Sequence, residues 1–355
     1  MKLLITGVCG FVGSALAEAL RDRIEGLSIW GVDNLMRPGA ESNRARMREL
    51  GVKFIHADIR SASDFETLPS VDWVIDTAAN PSVLAGIDGV SSSRQLLEHN
   101  LASMIHVLEY CKQHRAGLVV LSTSRVYSIA ALAALPLRDN GQAFELDIQA
   151  SMKQGVSTRG LGPDFPTQAP ISLYGSTKLA CEILALEYSE AFDFPVWINR
   201  CGVLAGPGQF GTPEQGIFAF WVNAHLRRRP LKYIGFDGQG KQVRDALSPI
   251  DLADLLAKQM RADRKGGSRL YTVGGGPANA ISLSGLNAWC DVRFGAHAPT
   301  SDLRPRPYDI PWIVMDNSGA ERDFAWTPSR GMDHILSQIA DHAHQHPDWL
   351  QRSGL

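Results

Sequence analysis

Short apolar runs alternate with amphipathic stretches along the first third of the chain. Five of these runs are typical of buried strands, and they cover Leu3–Thr6, Ser28–Val32, Val52–Ala57, Trp73–Thr77 and Leu118–Thr123. Helical spacing of apolar residues separates them, most clearly over Val12–Arg23 and Arg94–His114. Strands that alternate with helices predict an α/β fold with a parallel, doubly wound sheet.

The pattern changes beyond the first third. It weakens between about Ile129 and Ile171, where glycine and proline are frequent, and this stretch is too long for an ordinary connection. We therefore predict a functional loop there. A regular pattern resumes with a helix from Ser172 to about Phe192 and a strand at Val196–Arg200. After residue 206 the segments become shorter and more mixed.

Composition narrows the possible partners. Of the 355 residues, 35 are Lys or Arg and 37 are Asp or Glu, and this balance gives no electrostatic footprint for nucleic acid or for an acidic membrane surface. No apolar run approaches the roughly 18 residues of a membrane span. The five cysteines are odd in number and lack zinc-binding spacing, so we expect a reduced, cytoplasmic protein without a metal.

A glycine-rich turn follows the first strand and opens the first helix. It reads Thr6-Gly7-Val8-Cys9-Gly10-Phe11-Val12-Gly13. Residues without a Cβ let the chain turn sharply and approach a pyrophosphate, and the helix N-terminus offers free N–H groups to it. The sequence therefore predicts a dinucleotide site that uses Gly7, Gly10, Phe11, Val12 and Gly13.

The end of the second strand suggests which dinucleotide binds. Asp33 lies 20 residues past Gly13, where a carboxylate accepts hydrogen bonds from ribose hydroxyls and repels a 2′-phosphate, so NAD is favoured over NADP. The alternative is a simple turn residue before Asn34. Asp58 ends the third strand, and we predict that Asn34, Asp58 and Ile59 complete the adenosine end.

Proton-transfer chemistry is indicated by Tyr174 and Lys178, which are four residues apart on one predicted helix and so share a face. A free tyrosine has a pKa near 10, and a neighbouring ammonium lowers that value toward the useful range. The alternative is an exposed helix face. A third member is expected at the end of the strand Leu118–Thr123, although a hydroxyl there can also merely cap the next turn.

Together with Gly206-Pro207-Gly208, Gln242-Val243-Arg244-Asp245 and Arg306-Pro307-Tyr308-Asp309, these features resemble the extended short-chain dehydrogenase/reductase family of nucleotide-sugar enzymes. The resemblance implies a Rossmann-type NAD-binding domain over 1–200, with an active-site loop at about 129–171. It also implies a smaller, mainly substrate-binding domain over 201–355, with room for one segment to return to the sheet. A nucleoside diphosphate sugar substrate and a homodimer are implied as well.

The resemblance also assigns roles to single residues: Thr123 is the catalytic hydroxyl, Ala78 and Ala79 line the nicotinamide side, and Asn100 supports the active-site strand ends. Arg244 and Arg306 would clamp the diphosphate, because a guanidinium fork matches phosphate oxygens. Without the resemblance, each arginine reads as a surface ion-pair residue.

Among subfamilies, the chain is most similar to CDP-paratose (CDP-tyvelose) 2-epimerases. Three segments carry this similarity: Asp164-Phe165-Pro166 with Ser172-Leu173-Tyr174-Gly175, Gln209-Phe210-Gly211 with Glu214-Gln215-Gly216, and residues 240–245. It implies that Arg125 and Gln209 contact the substrate. Ser124-Arg125 stands where a 4,6-dehydratase carries Asp-Glu, which argues against dehydration. Val203 and Ser128 depart from the family pattern.

We therefore expect epimerisation by transient oxidation of a sugar carbon and return of the hydride to its opposite face. The carbon is C2 by the subfamily resemblance, or C4 as in UDP-sugar epimerases. Two alternatives remain: net oxidation or reduction with release of the cofactor, and a non-catalytic NAD sensor. The Thr123, Tyr174 and Lys178 set disfavours the sensor, which would have no use for it.

Overall fold

The strands and helices are taken from a computed structural model, which describes residues 1–87, 89, 92–262 and 269–355. The strands are β1 (Lys2–Thr6), β2 (Ser28–Asp33), β3 (Lys53–His56), β4 (Trp73–Asp76), β5 (Gly117–Thr123), β6 (Leu137–Asp139), β7 (Phe144–Leu146), β8 (Val156–Ser157), β9 (Gly160–Leu161), β10 (Val196–Cys201), β11 (Val203–Leu204), β12 (Lys232–Ile234), β13 (Val243–Leu247), β14 (Leu270–Val273), β15 (Ala280–Ser282), β16 (Thr300–Asp302) and β17 (Trp312–Ile313).

The α-helices are α1 (Phe11–Arg23), α2 (Asn43–Glu49), α3 (Ala62–Glu66), α4 (Ser93–Leu97), α5 (Ser103–His114), α6 (Ile129–Ala133), α7 (Leu173–Phe192), α8 (Ile217–Leu226), α9 (Pro249–Gln259), α10 (Leu283–Phe294), α11 (Ser318–Phe324), α12 (Met332–Gln345) and α13 (Trp349–Arg352). A π-helical turn, Glu98–Ala102, joins α4 to α5. None of the helices in the described ranges is long and apolar enough to cross a membrane.

Seven parallel strands form the central sheet, in the order β14-β10-β5-β4-β1-β2-β3. Its central strands are apolar on both faces because helices cover both: α1 and α9 pack on one side, α5 and α7 on the other. Each predicted strand of the first third agrees with an observed one to within one residue at either end. The predicted doubly wound α/β fold is confirmed.

The order of the sheet creates a crevice. From β1 the chain moves outward through β2 and β3, and then crosses to the opposite side of β1 to form β4. Ligands of open α/β sheets bind at such a reversal, outside the carboxyl ends of the strands. Thr6 and Asp76, at the ends of β1 and β4, are paired in register and mark this point.

The later part of the chain forms a second layer beside the crevice. A four-stranded sheet of β11, β13, β15 and β17 packs with α8, α10 and α12 around a core of its own, which includes Phe218, Trp221, Leu286, Ile335 and Leu336. One segment of this part, β14, lies at the edge of the central sheet beside β10. A substrate-binding role for the second layer stays a prediction.

The stretch from 129 to 171 contains α6 and two small hairpins, β6–β7 and β8–β9. It is attached to the body of the protein at several points. The Tyr127 hydroxyl donates to the Gly162 carbonyl (2.9 Å), the Tyr127 ring contacts Phe165, and the Leu161 N–H donates to the Val314 carbonyl (2.8 Å). Strands of two or three residues leave no readable alternation in a sequence, so these hairpins were not predicted.

Candidate active site

The glycine loop is packed so closely that side chains cannot be added to it. Gly7 has φ +66°, and a Cβ there would lie 2.9 Å from the Cα of Ala78; a Cβ on Gly13 would overlap the Gly7 carbonyl oxygen. Helix α1 begins at Phe11 behind Gly10, and no side chain caps its N-terminus. Its first N–H groups therefore remain available to an anion, and the loop fits a dinucleotide pyrophosphate.

Asp33 lies beneath this loop. Its carboxylate accepts the N–H groups of Cys9 (2.9 Å) and Leu35 (2.8 Å). Burial raises the pKa of Asp33, and these backbone N–H groups oppose the rise. The carboxylate is thus fixed at the tip of β2, and its role as ribose acceptor stays a prediction.

Two of the residues predicted to contact the adenine, Asn34 and Asp58, are hydrogen-bonded to each other. Asn34 donates to Asp58 (3.1 Å), and Arg60 donates to both oxygens of that carboxylate (2.9 and 2.6 Å). These bonds from Arg60 hold the pKa of Asp58 well below its usual range. Ile59 is buried in the core. The roles of Asn34, Asp58 and Ile59 at the adenine stay predictions.

The proton-transfer residues come together at the carboxyl end of β5. Ser172 caps α7 by accepting the Gly175 N–H (3.1 Å), which places Tyr174 in the first turn and Lys178 one turn later. Both side chains are buried, and the Thr123 hydroxyl, which accepts the Arg125 N–H (3.2 Å), lies near the Tyr174 phenol. Burial raises the pKa of Tyr174, and the charge of Lys178 and the nearby Thr123 hydroxyl oppose this rise without cancelling it. The positively charged nicotinamide ring of bound NAD would lower the pKa of Tyr174 further.

Sequence reasoning missed Asp76, which ends β4 and is buried. Its carboxylate accepts the Thr6 hydroxyl (2.6 Å). Burial is the largest influence on Lys178 and lowers its pKa. The negative charge of Asp76 and the other acidic groups nearby together outweigh burial, so the net pKa of Lys178 is raised and the ammonium stays charged. The available signal was an acidic residue at the end of an otherwise apolar strand.

A cavity of about 390 Å³ opens along these groups. Its walls include these predicted site residues: Gly7, Gly10, Phe11, Val12, Gly13, Ala79, Thr123, Arg125, Tyr174, Lys178, Gln209, Arg244 and Arg306. Ala78 instead lies behind Gly7. Asn100 is buried behind the cavity, where its side chain exchanges hydrogen bonds with the backbone of Asn80 (2.8 and 3.0 Å).

Three arginines that lie close enough to repel one another, Arg125, Arg244 and Arg306, line the same cavity. Arg125 donates to the Tyr308 carbonyl (3.1 Å), Arg306 donates to the Pro213 carbonyl (3.4 Å), and Arg244 lies 3.9 Å from the Asp309 carboxylate. Burial, together with repulsion from the other arginines, lowers the pKa of Arg125 to about 9. Burial also lowers the pKa of Arg244, to about 10. A diphosphate would relieve this excess of positive charge.

Two further polar side chains, Gln209 and Arg37, line the cavity. Gln209 donates to the Leu204 carbonyl (2.7 Å), and among the described residues its buried Oε1 has no partner. Arg37, which sequence reasoning missed, lines the same cavity and donates to Gln215 Oε1 (3.2 Å) and to the Phe210 carbonyl (3.3 Å). The signal for Arg37 was its place in the loop directly after Asp33.

A model of the protein family described as "NAD dependent epimerase/dehydratase family" matches residues 3–274. The chain belongs to this family. Membership confirms three predictions: the family itself, NAD as the cofactor, and an enzyme of the nucleotide-sugar epimerase type.

Characterised relatives agree with this placement. The chain is 27% identical to a CDP-paratose 2-epimerase of Salmonella typhi, over 93% of this chain and 100% of the relative. It is 25% identical to a UDP-glucuronate 4-epimerase of Thermodesulfobacterium geofontis, over 95% and 94%. The crystal structure of the UDP-glucuronic acid 4-epimerase from Bacillus cereus is similar with a TM-score of 0.77 at 23% identity, covering 97% and 99%, and this likeness shows the shared fold.

Proposed function

We propose that this member of the family epimerises a nucleoside diphosphate sugar at C2, with a CDP-sugar as substrate. The observation that carries the proposal is a single cavity with three kinds of group on its walls. These are the glycine loop, the set of Thr123, Tyr174 and Lys178, and the cluster of Arg125, Arg244 and Arg306. A cofactor, a reacting hydroxyl and a diphosphate can therefore be held at once.

The chain's own residues account for the proton chemistry. Tyr174, as phenolate, takes the proton of the sugar hydroxyl, and Thr123 holds the same oxygen by a hydrogen bond. Lys178, kept charged by Asp76 together with the other acidic groups around it, stabilises the phenolate. NAD, when bound, supplies a reversible hydride acceptor at the sugar carbon. Once the keto-sugar has reoriented, Tyr174 would return the proton to the same oxygen, and the bound cofactor would supply the hydride to the other face of the carbon.

The choice of C2 and of CDP rests on three supports. The Salmonella typhi relative carries out a 2-epimerisation by its name, and it matches along its whole length. The segments at 164–175, 209–216 and 240–245 resemble that subfamily. A basic residue, Arg125, follows Thr123 by two positions. The second candidate is a UDP-sugar 4-epimerase, which the UDP-glucuronate 4-epimerase relative favours.

A homodimer in the cytoplasm is part of the same proposal. Helices α4, α5 and α7 expose apolar side chains to solvent: Leu97 is 43% exposed, Ile105 46% and Ile183 56%. Such a patch favours a protein contact. Light scattering should give twice the chain mass for the wild type and one chain mass for Ile183→Glu. A monomeric wild type would reject the dimer.

The test of the reaction is incubation with CDP-, UDP- and GDP-sugars in deuterated water, followed by NMR of the products. Inversion at one carbon without solvent deuterium supports hydride return, whereas deuterium at that carbon requires abstraction of a carbon-bound proton and overturns the mechanism. Steady growth of NADH absorbance would instead show net oxidation. Tyr174→Phe should abolish turnover, and Tyr188→Phe, on the exposed side of the same helix, is the matched control.

A further inference from the structure

Arg125 connects the catalytic centre to the cluster of arginines. The backbone of Arg125 lies beside the first turn of α7. A Cβ added to Gly175, the residue after Tyr174, would overlap the Arg125 carbonyl oxygen. The guanidinium of Arg125 reaches the Tyr308 carbonyl (3.1 Å), between Arg306 and Asp309 in the chain. A single side chain therefore spans the distance from the tyrosine to the clamp.

The charges in and around this cluster of arginines are unbalanced. Arg125, Arg244 and Arg306 contribute three positive charges and Asp309 contributes one negative charge, while Arg37 and Glu214, which also line the cavity, offset each other. In the described ranges, Arg125 forms no ion pair within 4.0 Å. The excess of two positive charges matches the two negative charges of a diphosphate, and guanidinium forks bind phosphate oxygens in a bidentate way.

The chemistry of a nucleotide sugar then distinguishes two binding poses. C2 is bonded to the anomeric carbon that carries the phosphate, whereas C4 lies across the ring. When the C2 hydroxyl is at Tyr174, the phosphate must lie beside the tyrosine. When the C4 hydroxyl is there, the phosphate is a ring's width away. The partly buried guanidinium of Arg125 is close enough to Tyr174 to act on it electrostatically, so it stabilises the first pose more than the second.

We propose that Arg125 determines which carbon reacts, by holding the sugar-linked phosphate next to Tyr174 so that C2 is presented in place of C4. This inference rests on the proposed function and adds to it the residue that selects the position. Arg244 and Arg306 bind the diphosphate in either pose, and Arg125 contributes to the C2 pose alone.

The experiment compares wild type, Arg125→Met, Arg125→Lys and Arg244→Met as full-length proteins with the same CDP-sugar. NMR counts the C2- and C4-inverted products. We expect Arg125→Met to lower the C2 rate by roughly 10- to 100-fold, the effect of one charge-assisted hydrogen bond, and to produce C4-inverted sugar. Arg125→Lys should recover part of the C2 rate. Arg244→Met should raise KM without changing the product ratio.

Retained NAD and an unchanged circular dichroism spectrum would show that Arg125→Met is folded. A C2 rate within threefold of wild type, or a loss of C2 inversion with no C4-inverted product, overturns the inference alone. A wild type that inverts C4 only overturns the proposed function and the inference together. The two failures are therefore distinguishable by the wild-type product.

Discussion

A buried ion pair behind the site joins the catalytic helix to the strands that end at the cavity. Arg200 on β10 and Glu182 on α7 are 7% and 3% exposed, and Arg200 Nη2 lies 2.7 Å from Glu182 Oε2. Arg200 Nε contacts both carboxylate oxygens at 3.1 Å, and Nη1 donates to the Pro163 carbonyl (2.8 Å). The Ser122 hydroxyl also donates to Glu182. Because Ser122 precedes Thr123, this network fixes the proposed catalytic hydroxyl of Thr123 relative to α7.

Replacing Arg200 by Met would leave the Glu182 carboxylate buried, with Ser122 as its remaining donor. Removing one partner of a buried pair costs about 3–5 kcal/mol, whereas replacing both by apolar residues is often neutral. We therefore expect Arg200→Met and Glu182→Met each to lose about 3–5 kcal/mol of unfolding free energy. The double variant should lose less than the sum, with a coupling energy of about 3 kcal/mol.

Urea unfolding followed by circular dichroism measures these free energies. The matched control is Glu190→Met, whose carboxylate is 80% exposed and 3.6 Å from Arg269; an exposed pair is worth at most about 1 kcal/mol. Where the variants fold, their kcat should also fall, because Thr123 loses its fixed neighbour. A loss below about 1 kcal/mol for Arg200→Met, or strictly additive losses, would refute this reasoning.

Three further predictions concern the cofactor and pH. Gly13→Ala should abolish NAD binding in a cofactor titration, because its Cβ overlaps the Gly7 carbonyl oxygen; wild-type affinity would contradict the proposed cradle. Asp33→Asn should shift the NADP-to-NAD affinity ratio by at least about tenfold, since it removes the charge that repels a 2′-phosphate; an unchanged ratio would reject this role. Burial raises the pKa of Asp245 from 3.8 to about 6. Its contribution to stability is therefore complete below pH 3.8 and falls by up to about 3 kcal/mol as the pH rises through 6. Asp245→Asn should flatten that part of the stability curve, and equal slopes would count against the assignment.

Features that are local in the chain were predictable from the sequence alone. Buried parallel strands show as apolar runs, and an eight-residue glycine loop between strand and helix needs no distant contact to be recognised. The spacing of Tyr174 and Lys178 places them on one face of any helix. The doubly wound sheet and the NAD cofactor followed from these local patterns, and the structure and the family match confirmed both.

Contacts between distant segments were decided by the tertiary structure. The charge of Asp76 at the end of β4 acts on Lys178 in α7, although the two residues are far apart in the chain. Arg125 reaches Tyr308 across 183 positions, and Arg200 meets Glu182 between a strand and a helix. The periodicity of the sequence does not predict such contacts, since they depend on how whole helices and strands pack together. The sequence by itself determined the type of chemistry, and the packing decided which charges surround it.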